Sequence, residues 1–328
     1  MLTVAVDAMG GDHAPQAVVE GAVAAAGSGI PVVLVGDPTR LSNTGDLEII
    51  PASEVVEMTD DPAKAVRRKK DSSMVRAAEA VRDGKAAAMV SAGNTGAAMA
   101  AALLRMGRLA GVSRPAIATP LPVPGRSPCV LIDSGANLEC SPTMLVQFAQ
   151  MGSIFARERY GIAEPRVALL SIGEEPSKGT DTVRQAHALL AEGAGVRFIG
   201  NVEGRDLLGG AADVVVTDGF TGNVALKSLE GSLKSLMGLF WSVLQTNEET
   251  QKCIEVLMPY LTPILQTFDP DNTGGAMLLG VNGVCVISHG SSSATAITNA
   301  IKVAHDLAAA GLVDAIGTAV KVTGKSQS

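Results

Sequence analysis

The sequence predicts an α/β protein: a three-layer α/β/α sandwich with a mainly parallel sheet and a helical hairpin protruding from it. Three observations predict this. Short runs of Val, Ile, Leu and Ala recur along the chain without polar alternation, as in strands buried on both faces. Each run empties into a polar, glycine-bearing turn, and a helical apolar period often follows, which is the order of a βα unit with parallel neighbours. Aromatics make up 3% of the 328 residues, hydrophobic residues 47%, and there are 36 glycines, so the core must consist of small aliphatic side chains packed closely.

Residues 2–6 form the first run, which ends in Asp7-Ala8-Met9-Gly10-Gly11-Asp12-His13. Residues 14–26 then read as a helix with Pro15 in its first turn. The same order returns at 31–35 before Gly36-Asp37-Pro38, at 86–90 before Ser91-Ala92-Gly93-Asn94-Thr95-Gly96, and at 130–132 before Asp133-Ser134-Gly135-Ala136-Asn137. It continues at 167–170 before Ser171-Ile172-Gly173-Glu174-Glu175, at 214–216 before residues 217–223, and at 284–287 before Ser288-His289-Gly290-Ser291-Ser292-Ser293. Turns at the carboxyl ends of parallel strands are where ligands bind in open α/β sheets and barrels, so a small-molecule site is expected on one shared rim.

The turn at 217–223 stands out, with two glycines, two threonines, one aspartate and one asparagine. Bare N–H groups and short hydroxyls at a helix start suit a small anion. The plainer alternative is a strand-to-helix loop with an N-cap at Thr221 or Asn223. Residues 93–96 and 219–222 share a G-x-T-G core, as if two loops faced one ligand. The candidate binding set is therefore Asp7, Gly10, Gly11, Ser91, Gly93, Asn94, Thr95, Gly96, Asp218, Gly219, Thr221 and Gly222, with Asn223 beside them. Lys178 falls on the expected rim, where a cation can neutralise an anion or a developing oxyanion, and His289 is either a donor or acid or a structural histidine bonding the loop backbone.

The net charge of −7 argues against general nucleic-acid binding, which neutralises phosphates with a basic surface. One dense basic block interrupts the acidity: Arg67, Arg68, Lys69 and Lys70. It reads either as a solvated helix end, where cations suit the carbonyl terminus, or as a docking patch for an acidic protein. The four cysteines show no CxxC spacing and the first residues no basic, apolar, cleavable leader, so a reduced cytosolic protein is expected.

Leu226, Leu229, Leu233, Leu236, Met237, Phe240 and Leu244 recur at helical spacing on a stretch holding the single tryptophan, Trp241. A second period, Ile254, Leu257, Met258, Leu261, Ile264, Leu265 and Phe268, is interrupted by Pro259 and Pro263. Residues 224–268 are expected to form an amphipathic hairpin embedded in a single domain spanning 1–328. Its apolar face suits a dimer contact, a lipid headgroup layer, or both.

These motifs resemble the acyl-[acyl carrier protein]:phosphate acyltransferase family, nearly end to end. The matching stretches are VDAMGGDHAP from Val6, AVRRKKDSSM from Ala65, SAGNTGA from Ser91, KGTD from Lys178, GNVEGRD from Gly200, VVTDGFTGNV from Val215, GGAMLLG from Gly274 and SHGSS from Ser288. Ser134, Thr273 and Ser293 depart from the family pattern. The resemblance implies a fold similar to the isocitrate and isopropylmalate dehydrogenases, with phosphotransacetylases as relatives. It implies a homodimeric enzyme, cytoplasmic or peripherally membrane-associated, that makes acyl phosphate from an acyl carrier protein thioester and inorganic phosphate for phospholipid synthesis. The downstream membrane glycerol-3-phosphate acyltransferase is then an expected partner.

Phosphate is already largely a dianion at neutral pH, so no Ser-His or Cys-His pair is needed to create a nucleophile, and none is apparent in the sequence. Lys178, His289 and Asn223 are the expected catalytic groups. Asp7, Asp12, Asp133 and Asp218 could together hold Mg²⁺, but scattered strand-end carboxylates more often cap helices or hold loops, so no metal and no cofactor are expected. The rivals are a phosphotransacetylase acting on coenzyme A thioesters, a metal-dependent hydroxyacid dehydrogenase, and a non-enzymatic membrane or partner scaffold.

Overall fold

The computed structural model describes residues 2–324. Its strands are β1 (Val4–Asp7), β2 (Val32–Gly36), β3 (Glu48–Pro51), β4 (Ala88–Ser91), β5 (Ala116–Leu121), β6 (Cys129–Ile132), β7 (Arg166–Leu170), β8 (Arg197–Val202), β9 (Val214–Val216), β10 (Ala276–Leu279) and β11 (Val284–Ile287). The helices are α1 (Gln16–Gly27), α2 (Pro62–Arg68), α3 (Ser73–Arg82), α4 (Thr95–Ala101), α5 (Pro142–Tyr160), α6 (Asp181–Ala191), α7 (Gly219–Leu244), α8 (Glu248–Phe268), α9 (Ala294–Ala309) and α10 (Leu312–Gly324). A π-helical turn, Ala102–Met106, prolongs α4.

All eleven strands join one sheet in the order β3-β2-β1-β4-β11-β10-β5-β6-β9-β7-β8. Strand alternation divides the core into two layers. Val4, Val6, Val130, Ile132, Val167 and Leu169 pack under α1, α5, α6, α9 and α10. On the other face, Ala5, Met89, Ile117, Leu278 and Cys285 pack under α2, α3 and α4. Beside them Leu121, Leu131, Ala168 and Val215 meet Leu226 and Leu229 at the base of α7. The expected three-layer sandwich is thus present.

Pairing is parallel everywhere in this sheet except at β11–β10, β10–β5 and β5–β6. An odd number of antiparallel steps reverses direction, and this corrects the expectation of a single rim. β6, β7 and β9 therefore run opposite to β1, β4 and β11, and the register sets Val286 level with Ile132 across β10 and β5, so the two sets of carboxyl ends reach one line of the sheet from opposite directions. The connections from β5 to β6 and from β10 to β11 are short hairpins, which cannot carry a parallel crossover.

Two expectations about helices also change. Helix α7 begins at Gly219, not Val224, because the Asp218 side chain caps it by accepting from the Thr221 N–H at 2.8 Å. Neither Thr221 nor Asn223 is the N-cap. Helix α8 runs unbroken through Pro259 and Pro263. A proline leaves the carbonyl four residues back without its helical donor, which an exposed helix tolerates because water reaches it. The Thr262 hydroxyl donates to the Met258 carbonyl at 2.7 Å and Thr267 to that of Pro263 at 2.9 Å.

The α7–α8 hairpin leaves a row of apolar side chains outside: Leu236, Leu239, Val243, Val256, Tyr260 and Ile264 are each more than half exposed. No single described helix is long and apolar enough to cross a membrane.

At the start of β7 and β9, Arg166 grips Asp213 through Nε (3.0 Å) and Nη2 (2.8 Å), and the Arg166 N–H also donates to the carboxylate at 2.8 Å. Burial works against the Asp213 charge, but the guanidinium and N–H outweigh it and hold its pKa below the ordinary 3.8. A depressed carboxyl stabilises the fold above the ordinary value and loses that contribution as pH falls through its folded value. Asp213→Asn is therefore expected to cost about 2 kcal/mol at neutral pH. In urea titrations the gap to the unsubstituted protein should shrink below about pH 4; an unchanged gap would show the charge to be irrelevant.

Candidate active site

The candidate residues fall into two groups. The first gathers where β1, β4 and β11 end. Asp7 is buried and its carboxylate accepts from the hydroxyls of Ser91 (2.6 Å) and Ser73 and from the N–H groups of Met9 and Gly10. Burial pushes the Asp7 carboxyl above the usual range, against the pull of those bonds. Ser91 in turn accepts from the Gly93 N–H at 3.1 Å. A side chain at Gly10 would lie 2.6 Å from Asp7 Oδ2 and 2.9 Å from the Gly93 nitrogen, so the two glycine turns touch backbone to backbone. The Asp12 N–H donates to the Gly290 carbonyl at 2.8 Å, tying the Gly11–Asp12 turn to the His289 loop.

Asn94 caps α4, accepting from the Ala97 N–H at 3.0 Å while its amide donates to the Met58 carbonyl at 2.8 Å. Gly96 is needed because a Cβ there would meet Pro62 at 2.8 Å. Thr95 is exposed at the helix start. His289 is exposed too, and its Nδ1 lies 2.8 Å from Ser291 Oγ, a Ser–His contact that closes a loop of adjacent residues. The Ser291 N–H also donates to this nitrogen at 3.3 Å, the bond of a histidine to its own loop backbone that the sequence leaves open as the alternative.

The second group centres on Asp133, fully buried at the end of β6. Its Oδ1 accepts from the N–H groups of Ile117, Gly135 and Ala136, and its Oδ2 from the N–H and side-chain amide of Asn137. The turn so formed receives the start of α7: the Gly219 N–H donates to the Asn137 carbonyl at 2.7 Å. A Cβ at Gly219 would fall 2.6 Å from that carbonyl, and one at Gly222 would overlap the Asp133 carbonyl. Thr221 Oγ1 donates to Asp218 at 2.8 Å. Asn223 is exposed at the first turn of α7, with Gly135 opposite its side chain. Thr119 and Ser134 share a hydrogen bond of 2.6 Å at the join between the halves.

Lys178 lies in the turn after β7, on the same sheet edge as this second group. It is exposed and forms no ion pair within 4 Å among the described residues. In the basic block, Lys69 is a structural tie: its ammonium donates to the Val55 carbonyl and to Asp60, each at 2.7 Å. Arg67, Arg68 and Lys70 are exposed. Among the described residues no three His, Cys, Asp or Glu stand close enough to hold a metal ion. Asp7 and Asp12 belong to the first group, Asp133 and Asp218 to the second.

The sequence pattern of the family described as "Fatty acid synthesis protein" matches residues 2–314. A phosphate acyltransferase of Geobacillus thermodenitrificans (strain NG80-2) is 48% identical over 323 residues, covering 97% of both chains. One of Anaeromyxobacter dehalogenans (strain 2CP-C) is 49% identical over 326 residues, 97% of this chain and 90% of that one. The chain belongs to the phosphate acyltransferase family.

It is therefore an acyltransferase. Among solved structures, a phosphotransacetylase from Streptococcus pyogenes superposes with a TM-score of 0.63 at 18% identity, covering 94% of each chain. A 4-hydroxythreonine-4-phosphate dehydrogenase from Klebsiella pneumoniae gives 0.52 at 15% identity, covering 94% of this chain and 99% of that one. At such identities the likeness is one of fold.

In this phosphate acyltransferase most of the expected binding side chains already hold the turns in shape. Asp7, Ser91, Asn94, Asp218 and Thr221 all bond within their own loops or to a neighbouring one. The exposed groups left to meet a substrate are Thr95, Asn223, Lys178 and His289. Sequence reasoning weighed Asp133 as a metal ligand or, more commonly, a loop-holding carboxylate, and the second role is the one it has, but it passed over Asn137. The visible signal was an aspartate directly after a buried strand, followed by small residues and an asparagine, the composition of a turn folded onto its own carboxylate.

Proposed function

We propose that the enzyme makes acyl phosphate by direct attack of inorganic phosphate on the thioester of an acyl carrier protein. The observation that carries this reading is Lys178: an exposed, unpaired cation on the sheet edge that also presents Asn223 and the turn at 134–137. A phosphate oxygen forms a bond to the thioester carbonyl carbon, and the carbonyl electrons move onto oxygen. Lys178 steadies the phosphate or the oxyanion, and the amide of Asn223 adds a neutral donor. Collapse of the intermediate expels the carrier's thiolate, and His289 is the candidate to assist its departure. No external cofactor is needed for these steps.

The exposed charges of Arg67, Arg68 and Lys70 support an acidic carrier protein as thiol donor, since such a patch raises the encounter rate. The exposed apolar row on the hairpin supports a homodimer and contact with a membrane surface, where the product would pass to a membrane glycerol-3-phosphate acyltransferase in phospholipid synthesis. A cytoplasmic enzyme with peripheral membrane association fits both. The second reading, a coenzyme A thioester as donor, is favoured by the phosphotransacetylase fold.

Thiol release in the presence of phosphate, measured with acyl carrier protein and with coenzyme A thioesters, tests the two. The carrier protein is expected to give kcat/KM at least about tenfold higher, with Arg67→Glu/Arg68→Glu erasing most of that advantage and leaving coenzyme A turnover unchanged. Equal turnover of both donors, insensitive to the substitutions, would favour the second reading.

A further inference from the structure

The stretch GNVEGRD at 200–206 matches the family, yet the reaction as described uses none of it. Its first two residues sit in an irregularity of the edge strand β8. Val167 pairs with Phe198 and Leu169 with Asn201, so β8 uses one residue more than β7 over the same step. Gly200, at φ +99, takes up the extra residue. Such a bulge reverses which way the following side chains point.

In a regular strand Asn201 would face the layer of α7, like Ile199. Instead it pairs with Leu169, which packs under α5 and α6, and Val202 takes the α7 side with Leu170. Asn201 is left 6% exposed. Its amide donates to the Glu175 carbonyl at 2.9 Å. That same oxygen accepts from the Lys178 N–H at 3.0 Å, closing the turn that carries the lysine.

We infer that Asn201 is a positioning residue for Lys178: the bulge in β8 aims its amide at the carbonyl on which the lysine-bearing turn closes. The inference rests on the role proposed above for Lys178. The rest of the turn is exposed from Glu174 to Lys178, and the only other side chain of this stretch that reaches it is Arg205, 3.9 Å from Glu174 among the described ion pairs. Asn201 Oδ1 and the nearby Ser171 Oγ are buried without partners, so the amide hydrogen, not the oxygen, does the holding. A turn released by loss of that bond shifts the ammonium, and a displacement of about 1 Å at a reacting group lowers turnover by up to about a hundredfold.

Asn201→Asp, which keeps the shape and removes the donor, is expected to lower kcat about tenfold or more with the KM for phosphate changed far less. Trypsin should also cut after Lys178 faster, by roughly fivefold, with no comparable rise elsewhere. Asn201→Leu provides a second donor-free variant should the buried acid prevent folding, and Ser171→Ala should leave both readouts unchanged. The decisive measurement repeats the substitution in a Lys178→Ala background, where no further loss of kcat is expected. The same fold-loss in both backgrounds, or full turnover with unchanged tryptic cleavage in the donor-free variants, would overturn the inference. Near-normal turnover of Lys178→Ala alone is a different result and would overturn the role given to the lysine itself.

Discussion

Replacing Lys178 by alanine is expected to reduce acyl phosphate formation by about 10²- to 10³-fold, the usual loss when a single donor to a developing oxyanion is removed. The fold should not notice. The side chain is exposed, makes no ion pair among the described residues, and supports no neighbour in either core layer. Thermal unfolding should therefore stay within a degree or two of the unsubstituted enzyme, roughly the scatter of a neutral surface change. Steady-state kinetics with varied phosphate would divide the two roles open to the lysine. A rise in the phosphate KM alone would mark it as a ground-state anchor; a fall in kcat with little change in KM would mark it as a partner of the transition state. Turnover near that of the unsubstituted enzyme would remove it from the mechanism.

The second large effect is structural. Asp133→Ala is expected to destabilise the protein by about 4 kcal/mol, because it strands several buried donors at once. The N–H groups of Ile117, Gly135, Ala136 and Asn137 and the Asn137 amide all lose their acceptor. The damage spreads to α7, since Gly219 is docked on the Asn137 carbonyl and Gly222 packs so near the Asp133 carbonyl that a Cβ there would overlap it. Urea unfolding would measure the loss, and a change under about 1 kcal/mol would show that water replaces the carboxylate in this turn.

Much of this architecture is legible in the sequence, and particular residues show why the rest is not. The runs at 214–216 and 284–287 are strands with those bounds because three or four consecutive aliphatic residues between polar turns have nowhere else to go. β5 escaped notice because Thr119 and Pro120 break its apolar run, and β8 because Gly200 sits inside it. The direction of a strand leaves no trace in its composition, so the reversal across β10 and β5, and with it the division of the candidate residues into two groups, was beyond a one-dimensional reading. Lys69 shows the same limit on a smaller scale. Its three cationic neighbours are exposed, but a carbonyl and a carboxylate from distant loops capture this one.

The distribution of thiols gives the molecule a built-in reporter. Cys129 and Cys285 are buried and Cys140 half-buried, and desolvation pushes all three up to about 12, where almost no thiolate exists at neutral pH. Cys253 alone is exposed, on the second arm of the hairpin. A maleimide dye at neutral pH would thus tag the native chain at one place without any engineering, and the emission of that dye would sense whatever comes to lie against the hairpin.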